Sequence, residues 1–282
     1  MNAKNDYELY HDESMIEGYW HGMLLMPADQ KTRLLSYLET ARKEVGYFHK
    51  ISFKKIDSPG PKYELAHAWL SVILGFMRSD TKFESYSYYT GKKENRKRIT
   101  NTLDDQSCGA KFILFRDRDL HKKMWNYPDN TSKIETTFRI GFKGGLHFLF
   151  EPQTPVRVTK IHVDGFEHLG RHIDQQRVID RIQGLRDYCE IVNTLNSIED
   201  GSSDPTHPNA QNYDDCQLLQ LTDLLIGSFR SGLGYSGNHY KNILGKYAKF
   251  LIERYMKGTA RMHNSRWNHG FCMSQCYLEN DQ

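Results

Sequence analysis

The chain has 282 residues, with 38 Lys or Arg against 35 Asp or Glu, a formal charge of +3 and 12% aromatic residues. That length suits one large domain or two small ones with a core that needs no disulfides, and the mildly basic balance tolerates a polyanionic partner without demanding one. The cysteines at 108, 189, 216, 272 and 276 are odd in number and mostly far apart, which argues against a disulfide framework, and no stretch of about 18 apolar residues suggests a membrane span.

Met1 to Asp6 lead into a strand pattern without an apolar signal segment, so a soluble, cytoplasmic protein is expected. Alternating hydrophobicity over residues 6 to 12 and 18 to 26 predicts two neighbouring strands joined by a polar turn around Ser14 and Glu17. The first strand ends in the acidic pair Asp12-Glu13. Pro27-Ala28-Asp29 opens a helix in which Leu34, Leu35, Leu38, Ala41 and Val45 recur at helical spacing until Gly46 stops it. His49 to Ile56 reads as a third strand. After the breaker Asp57-Ser58-Pro59-Gly60-Pro61, the apolar run from Leu65 to Phe76 makes a largely buried second helix. Residues 82 to 90 alternate like a strand, and 91 to about 136 read as an insertion elaborating the core.

A second half begins near residue 137. Phe138 to Phe142, Leu146 to Phe150 and Val156 to Val163 read as successive strands, with Gly144-Gly145 and Pro152 to Pro155 as turns. The last of these strands ends in Asp164-Gly165, a second carboxylate at a strand terminus, although Asp-Gly is also a common turn pair. A helix from about Asp174 to Leu185 and a strand from Tyr188 to Ile198 follow. Beyond a loop rich in Asp, Ser, Pro and Asn, Asp215 to Gly227 forms a leucine-rich helix with Asp223 in its middle. A carboxylate there costs several kcal/mol unless something positive meets it. Residues 236 to 282 are expected to form a helical extension on a domain spanning 1 to 235.

Asp12-Glu13-Ser14 after a first strand, a strand ending in Asp164, and Leu219-Gln220-Leu221-Thr222-Asp223-Leu224 near the end together resemble the bacterial family called domain of unknown function 3800. Its pattern is Asp-Glu-Ser early and Leu-Gln-Leu-Ala-Asp-Leu late. The resemblance covers roughly residues 6 to 235. It implies an α/β, ribonuclease H-like fold, a mixed sheet flanked by helices, whose acidic cluster holds one or two Mg2+ or Mn2+ ions. It further implies a bacterial accessory gene, in phage defence or a mobile element. By that resemblance Asp12, Asp164 and Asp223 are the expected metal ligands, and hard oxygen donors suit such ions. Two ions about 4 Å apart would clamp a phosphodiester. Glu13 ranks below these three, because adjacent strand residues point to opposite faces. The chain departs from the family at Lys50, where many members carry an acidic residue.

The expected activity is metal-dependent hydrolysis of RNA or single-stranded nucleic acid. A non-catalytic module that binds nucleic acid or protein on the same fold is the alternative, a nucleotide or other phosphate ester remains a third substrate class, and a protein partner or homo-oligomer is compatible with each. Lys92, Lys93, Arg96, Lys97 and Arg98, beside Tyr86, Tyr88 and Tyr89, and Lys50 are the candidate phosphate contacts. Solvated charge explains such a run equally well. Arg116, Arg118, His121, Lys122 and Lys123 extend the same basic character. Cys272 and Cys276 with His263 and His269 fit no common zinc spacing.

Overall fold

The structure is a computed structural model that describes residues 6–77, 86–90, 97–101, 109–118, 130–150, 156–164, 175–185, 189–192, 198–208, 210, 212–256 and 270–276. Its strands are β1 (Asp6–Ser14), β2 (Tyr19–Pro27), β3 (Tyr86–Thr90), β4 (Lys97–Asn101), β5 (Lys111–Asp117), β6 (Val156–Asp164), β7 (Cys189–Ile191), β8 (Ile198–Gly201) and β9 (Phe271–Cys276). The helices are α1 (Lys31–Val45), α2 (Pro61–Met77), α3 (Asn130–Leu149), α4 (Gln175–Gln183), α5 (Tyr213–Gly232) and α6 (His239–Met256). The architecture is α/β. Seven strands form one mixed sheet in the order β7-β6-β1-β2-β5-β9, with β8 also pairing β6, while β3 and β4 form a separate ribbon. β2 runs antiparallel to both β1 and β5. The pairings of β1 with β6, β6 with β7 and β8, and β5 with β9 are parallel.

β2 is buried along its whole length, as a central strand covered on both faces must be, and its sequence is correspondingly an almost unbroken apolar run. The alternation of side chains divides the interior in two. Tyr10, Trp20 and Leu24 face a core shared with α1, α2, α5 and α6. Leu9, Met23 and Leu25 face a second core built with α3 and α4. Among the described residues, no helix is long and apolar enough to cross a membrane.

The register of β1 on β6 shifts between Tyr7, which pairs with Val158, and Glu8, which pairs with Lys160. Thr159 is the extra residue of a β-bulge, and its hydroxyl donates to the Tyr7 carbonyl at 3.2 Å. Because of that one residue, Val158 and Ile161 both enter the α3 core. His162 and Asp164 therefore turn to the opposite face, the one that carries Tyr10 and Asp12.

Several expected elements differ. The two strands expected at Phe138–Phe142 and Leu146–Phe150 are the second half of helix α3, in which Ile134, Phe138, Phe142, Leu146 and Leu149 recur at helical spacing and are buried. Of the pair Gly144-Gly145 read as a turn, Gly145 serves close packing instead, and so does Gly141 from the expected strand. A Cβ on Gly141 would come within 2.6 Å of Phe115, and one on Gly145 within 2.3 Å of Ile113, so these i, i+4 glycines let α3 lie against β5. His49 to Ile56 is no strand but an extended segment followed by a short 3-10 turn at Phe53–Lys55. Of the strand expected from Tyr188 to Ile198, Cys189–Ile191 is β7 and Ile198 opens β8, while Tyr188 and 193–197 lie outside the described residues. The segment 91–136, expected as an insertion, contains β5, a member of the main sheet, and the expected C-terminal helical extension contributes both α6 and the edge strand β9.

Candidate functional site

At the carboxyl ends of β1 and β6 lies a cavity of about 660 Å³ whose lining includes Asp12, Glu13, Lys50, Asp164, Asp223 and Arg230. Asp12 and Asp164 stand one step beyond the paired residues His11 and Val163 on adjacent parallel strands, at the same level. Their strands are about 4.8 Å apart. Asp223 enters from α5, which crosses this face of the sheet. The β2 residue opposite Asp12 is Gly22. Any side chain there would overlap Ile226, its Cβ falling within 2.2 Å, so the glycine lets α5 settle near the strand ends.

Backbone donors hold each carboxylate. The Glu13 amide donates to Asp12 Oδ1 at 2.7 Å, the Ser203 amide to Asp164 Oδ1 at 3.0 Å, and the Phe53 amide to Asp223 Oδ2 at 2.7 Å. Phe53 can approach this closely because Gly227 offers no Cβ, which would fall within 2.0 Å of the ring. One turn earlier on α5, Gln220 Oε1 accepts from the Ile51 amide at 3.0 Å and from Arg42 Nη2 at 2.9 Å. The extended segment 50–53 thus looks like a strand in sequence, yet its amides at 51 and 53 bond to side chains of a helix. Arg42 is itself buried, donating to the Tyr47 and His49 carbonyls and to Gln217, and packing over Trp69.

The electrostatics are those of crowded like charges. Burial raises the Asp12 carboxyl well above its ordinary range, and the neighbouring charges of Asp223, Asp164 and Glu13 add to that, against the Glu13 amide. Burial also raises Asp223, with Asp164 adding to it, while hydrogen bonds from Phe53 and Ser52 and the charge of Lys50 oppose the shift. Burial and then Asp164 push Glu13 up to about 8. Such a set favours a cation among the carboxylates. Glu13 is also bonded by the Tyr19 hydroxyl, on the opposite side of β1 from Asp12.

The structure therefore brings Asp12, Glu13, Asp164, Asp223 and Lys50 to one cavity. Arg230 and Gln220 had not been singled out in the sequence. Arg230 had a usable signal, since it follows Asp223 by two helical turns on the same lining face as Ile226 and Gly227. Gln220 lay inside the quoted motif, but nothing in the sequence shows what it bonds. Of the basic run, Lys92, Lys93 and Arg96 lie outside the described residues, and Lys97 and Arg98 are described only as backbone of β4. Arg116 is not a surface phosphate contact: it is buried, donates to the Glu17 carbonyl and the Tyr235 hydroxyl, and packs over Trp20 and Tyr235. Asp117 pairs internally with Lys133 at 3.1 Å. Cys272 is buried in β9, and His263 and His269 lie outside the described residues.

A second acidic group lies toward the other end of β1. Glu8, His162 and Asp215 have ligand atoms within 4.8 Å of one another, and they are the one group of His, Cys, Asp or Glu that close among the described residues. Asp12, Asp164 and Asp223 are more widely spaced. The tighter group nevertheless already holds a cation, since Lys31 Nζ lies 2.7 Å from Glu8 and 2.8 Å from Asp215. The Tyr10 hydroxyl lies 2.5 Å from the same Glu8 oxygen and 2.7 Å from the same Asp215 oxygen, with one proton to donate between them, and its ring stacks on His162 at 4.6 Å. Both carboxylates there thus have a cation and a hydroxyl beside them without a metal. The wider group, in which Asp12 and Asp223 are raised and which opens to a cavity, is the better metal candidate. Comparison with known proteins finds no matching family model, no matching curated protein and no matching solved structure.

Proposed function

We propose that this cavity is a Mg2+- or Mn2+-dependent phosphodiesterase site, and that the protein is a nuclease acting on RNA or single-stranded nucleic acid on a ribonuclease H-like fold. One observation carries the reading: carboxylates from the end of the first strand, the end of its parallel neighbour and a C-terminal helix meet at one cavity. That is the arrangement the resemblance implies for Asp12, Asp164 and Asp223, and it supports the family's pattern here.

Asp12, Asp164 and Asp223 would hold the ions through oxygen, the donor hard divalent cations prefer. A bound ion supplies an activated water and neutralises charge at the phosphate. The residues of the chain do the rest. Each carboxylate is fixed by a backbone amide, and Lys50 and Lys54 line the cavity with positive charge. Lys241, also on the lining, donates to the Lys54 carbonyl at 2.9 Å and to Asp57 at 3.0 Å, holding that wall. In the reaction water adds to phosphorus, one ester P–O bond breaks, and the departing oxygen leaves as a hydroxyl.

The test is a panel of RNA, single-stranded DNA, duplex DNA and nucleotides incubated with Mg2+ or Mn2+. Cleavage by the wild type that Asp12→Asn and Asp223→Asn abolish, with oligonucleotide binding retained, is the expected result. A wild-type protein that binds oligonucleotides and cleaves none of the panel with any divalent ion overturns it. That outcome leaves the second reading, a non-catalytic nucleic-acid-binding module, which two observations favour: the spacing of the three carboxylates exceeds 4.8 Å, and Lys50 stands on the lining where the family often has an acid.

A further inference from the structure

α5 presents a stripe to the cavity at Asp223, Ile226, Gly227 and Arg230, the i, i+3, i+4, i+7 positions of one helical face. Asp223 and Arg230 are about 10 Å apart along the axis. Helical side chains lean toward the N-terminus, so Arg230 reaches back toward Asp223. The Arg230 side chain is 7% exposed, and its Nη1 donates to Ser14 Oγ at 2.6 Å. Its Nε is buried and has no hydrogen-bond partner.

A buried guanidinium N–H without an acceptor loses its hydration with nothing to replace it. Asp223 draws the guanidinium inward by charge but accepts its hydrogen bond from Phe53 instead. The donor's natural complement is a phosphate oxygen, because the planar fork of arginine matches that group in charge and geometry.

We propose that Arg230 is the phosphate-binding residue of this cavity, its guanidinium donating to a non-bridging oxygen of the substrate's phosphate group. This rests on the phosphodiesterase reading above and extends it. Ser14, the residue that ends β1 two places after Asp12, fixes the other arm of the guanidinium. Metal ligand and phosphate ligand are in this way tied to the same strand end. Arg230 is a binding residue on the substrate side, while the carboxylates are placed for the cation.

The experiment uses the full chain with Mg2+ present and follows the arginine Nε–H resonances in 1H–15N spectra while inorganic phosphate is added. The Arg230 signal, identified by its loss in Arg230→Lys, is expected to move with phosphate. Affinity for inorganic phosphate is expected to fall at least tenfold in Arg230→Gln, with Arg230→Lys in between and Mn2+ affinity by calorimetry unchanged. Where cleavage is measurable, kcat is expected to drop roughly 10²-fold in Arg230→Gln, the usual effect of losing one such donor. Wild-type spectra in which phosphate moves no arginine Nε–H signal overturn the proposal, and that outcome needs no variant that folds. Loss of Mn2+ affinity in Arg230→Gln also overturns it, by making the residue structural. Phosphate binding at Arg230 by a wild type that cleaves nothing would uphold this assignment and sink only the nuclease reading.

Discussion

The side-chain amide of Gln220 donates to the Ser203 carbonyl at 2.7 Å, and Ser203 returns its own N–H to Asp164 at 3.0 Å. The other end of the same amide accepts from Ile51 and Arg42. One buried glutamine thereby joins the two segments that carry backbone donors to Asp164 and Asp223, and it stands three residues before Asp223 on α5.

Gln220→Leu keeps the volume and removes all of those bonds. We expect a loss of about 2–4 kcal/mol in urea unfolding, because Arg42 and the Ile51 amide are left buried without their acceptor. Mn2+ affinity should fall as well, since the Ser203 loop no longer fixes Asp164. A variant as stable as wild type with unchanged Mn2+ binding would show that the amide plays no such part.

The two acidic groups are separable by substitution. Asp12→Asn or Asp223→Asn is expected to remove Mn2+ binding measured by calorimetry, whereas Asp215→Asn should leave it intact, because Lys31 already occupies the space between the two carboxylates of that group. Removing the lysine is another matter: Lys31→Met should destabilise the fold by about 3 kcal/mol, the cost of stranding two mostly buried carboxylates. Mn2+ binding lost in Asp215→Asn and kept in Asp12→Asn would move the metal centre to the other end of β1.

His11 and His21 form a buried pair, His11 Nε2 lying 3.0 Å from His21 Nδ1 and His21 Nε2 lying 2.9 Å from the Thr137 hydroxyl. Burial lowers His11 to about 3 and, with the charge of His11, lowers His21 well below its ordinary value. The unfolded chain then binds more protons than the folded one below about pH 6.5. Stability from this pair is complete above that pH and is lost as pH falls through 6.5 toward 3. His11→Gln should flatten the stability profile between pH 7 and 5 in urea titrations. An unchanged slope would remove the pair as a source of acid sensitivity.

Gly145→Val is expected to destabilise the protein by more than 2 kcal/mol. A side chain there meets the buried Ile113 at distances no packing tolerates, and neither α3 nor β5 can shift without opening the core between them. The nearby Gly144→Ala should be neutral or stabilising, since nothing lies within 4 Å of its added Cβ and alanine is the better helix former. Equal effects from both substitutions would contradict the close approach of α3 to β5.

These contrasts show what the sequence could and could not convey. Asp12 and Asp164 were legible because each closes an alternating apolar run, and Asp223 because a carboxylate amid leucines is costly. The strands expected over 138–150 failed because Gly145 looks the same in sequence whether it makes a turn or a close helix contact. The segment at 50–53 failed for a different reason. Its extended backbone reads as β, yet the partners of its amides are Gln220 and Asp223, about 170 residues away in the chain. No local pattern encodes such a partner, and the central place of β5 was likewise hidden in a segment flanked by charge.

The bulge at Thr159 sets which face the end of β6 presents. Drawn into an even ladder with no residue lost, β6 would pair Thr159 with Glu8 and every later residue would turn over, so that Asp164 would point into the greasy interior beside α3 and Val163 would stand where the acid belongs. Deleting Thr159 instead keeps the pairs from Glu8–Lys160 to His11–Val163, and with them the face of Asp164. The centre thus hangs on one residue being held out of the ladder, with no part played by its chemistry as a ligand.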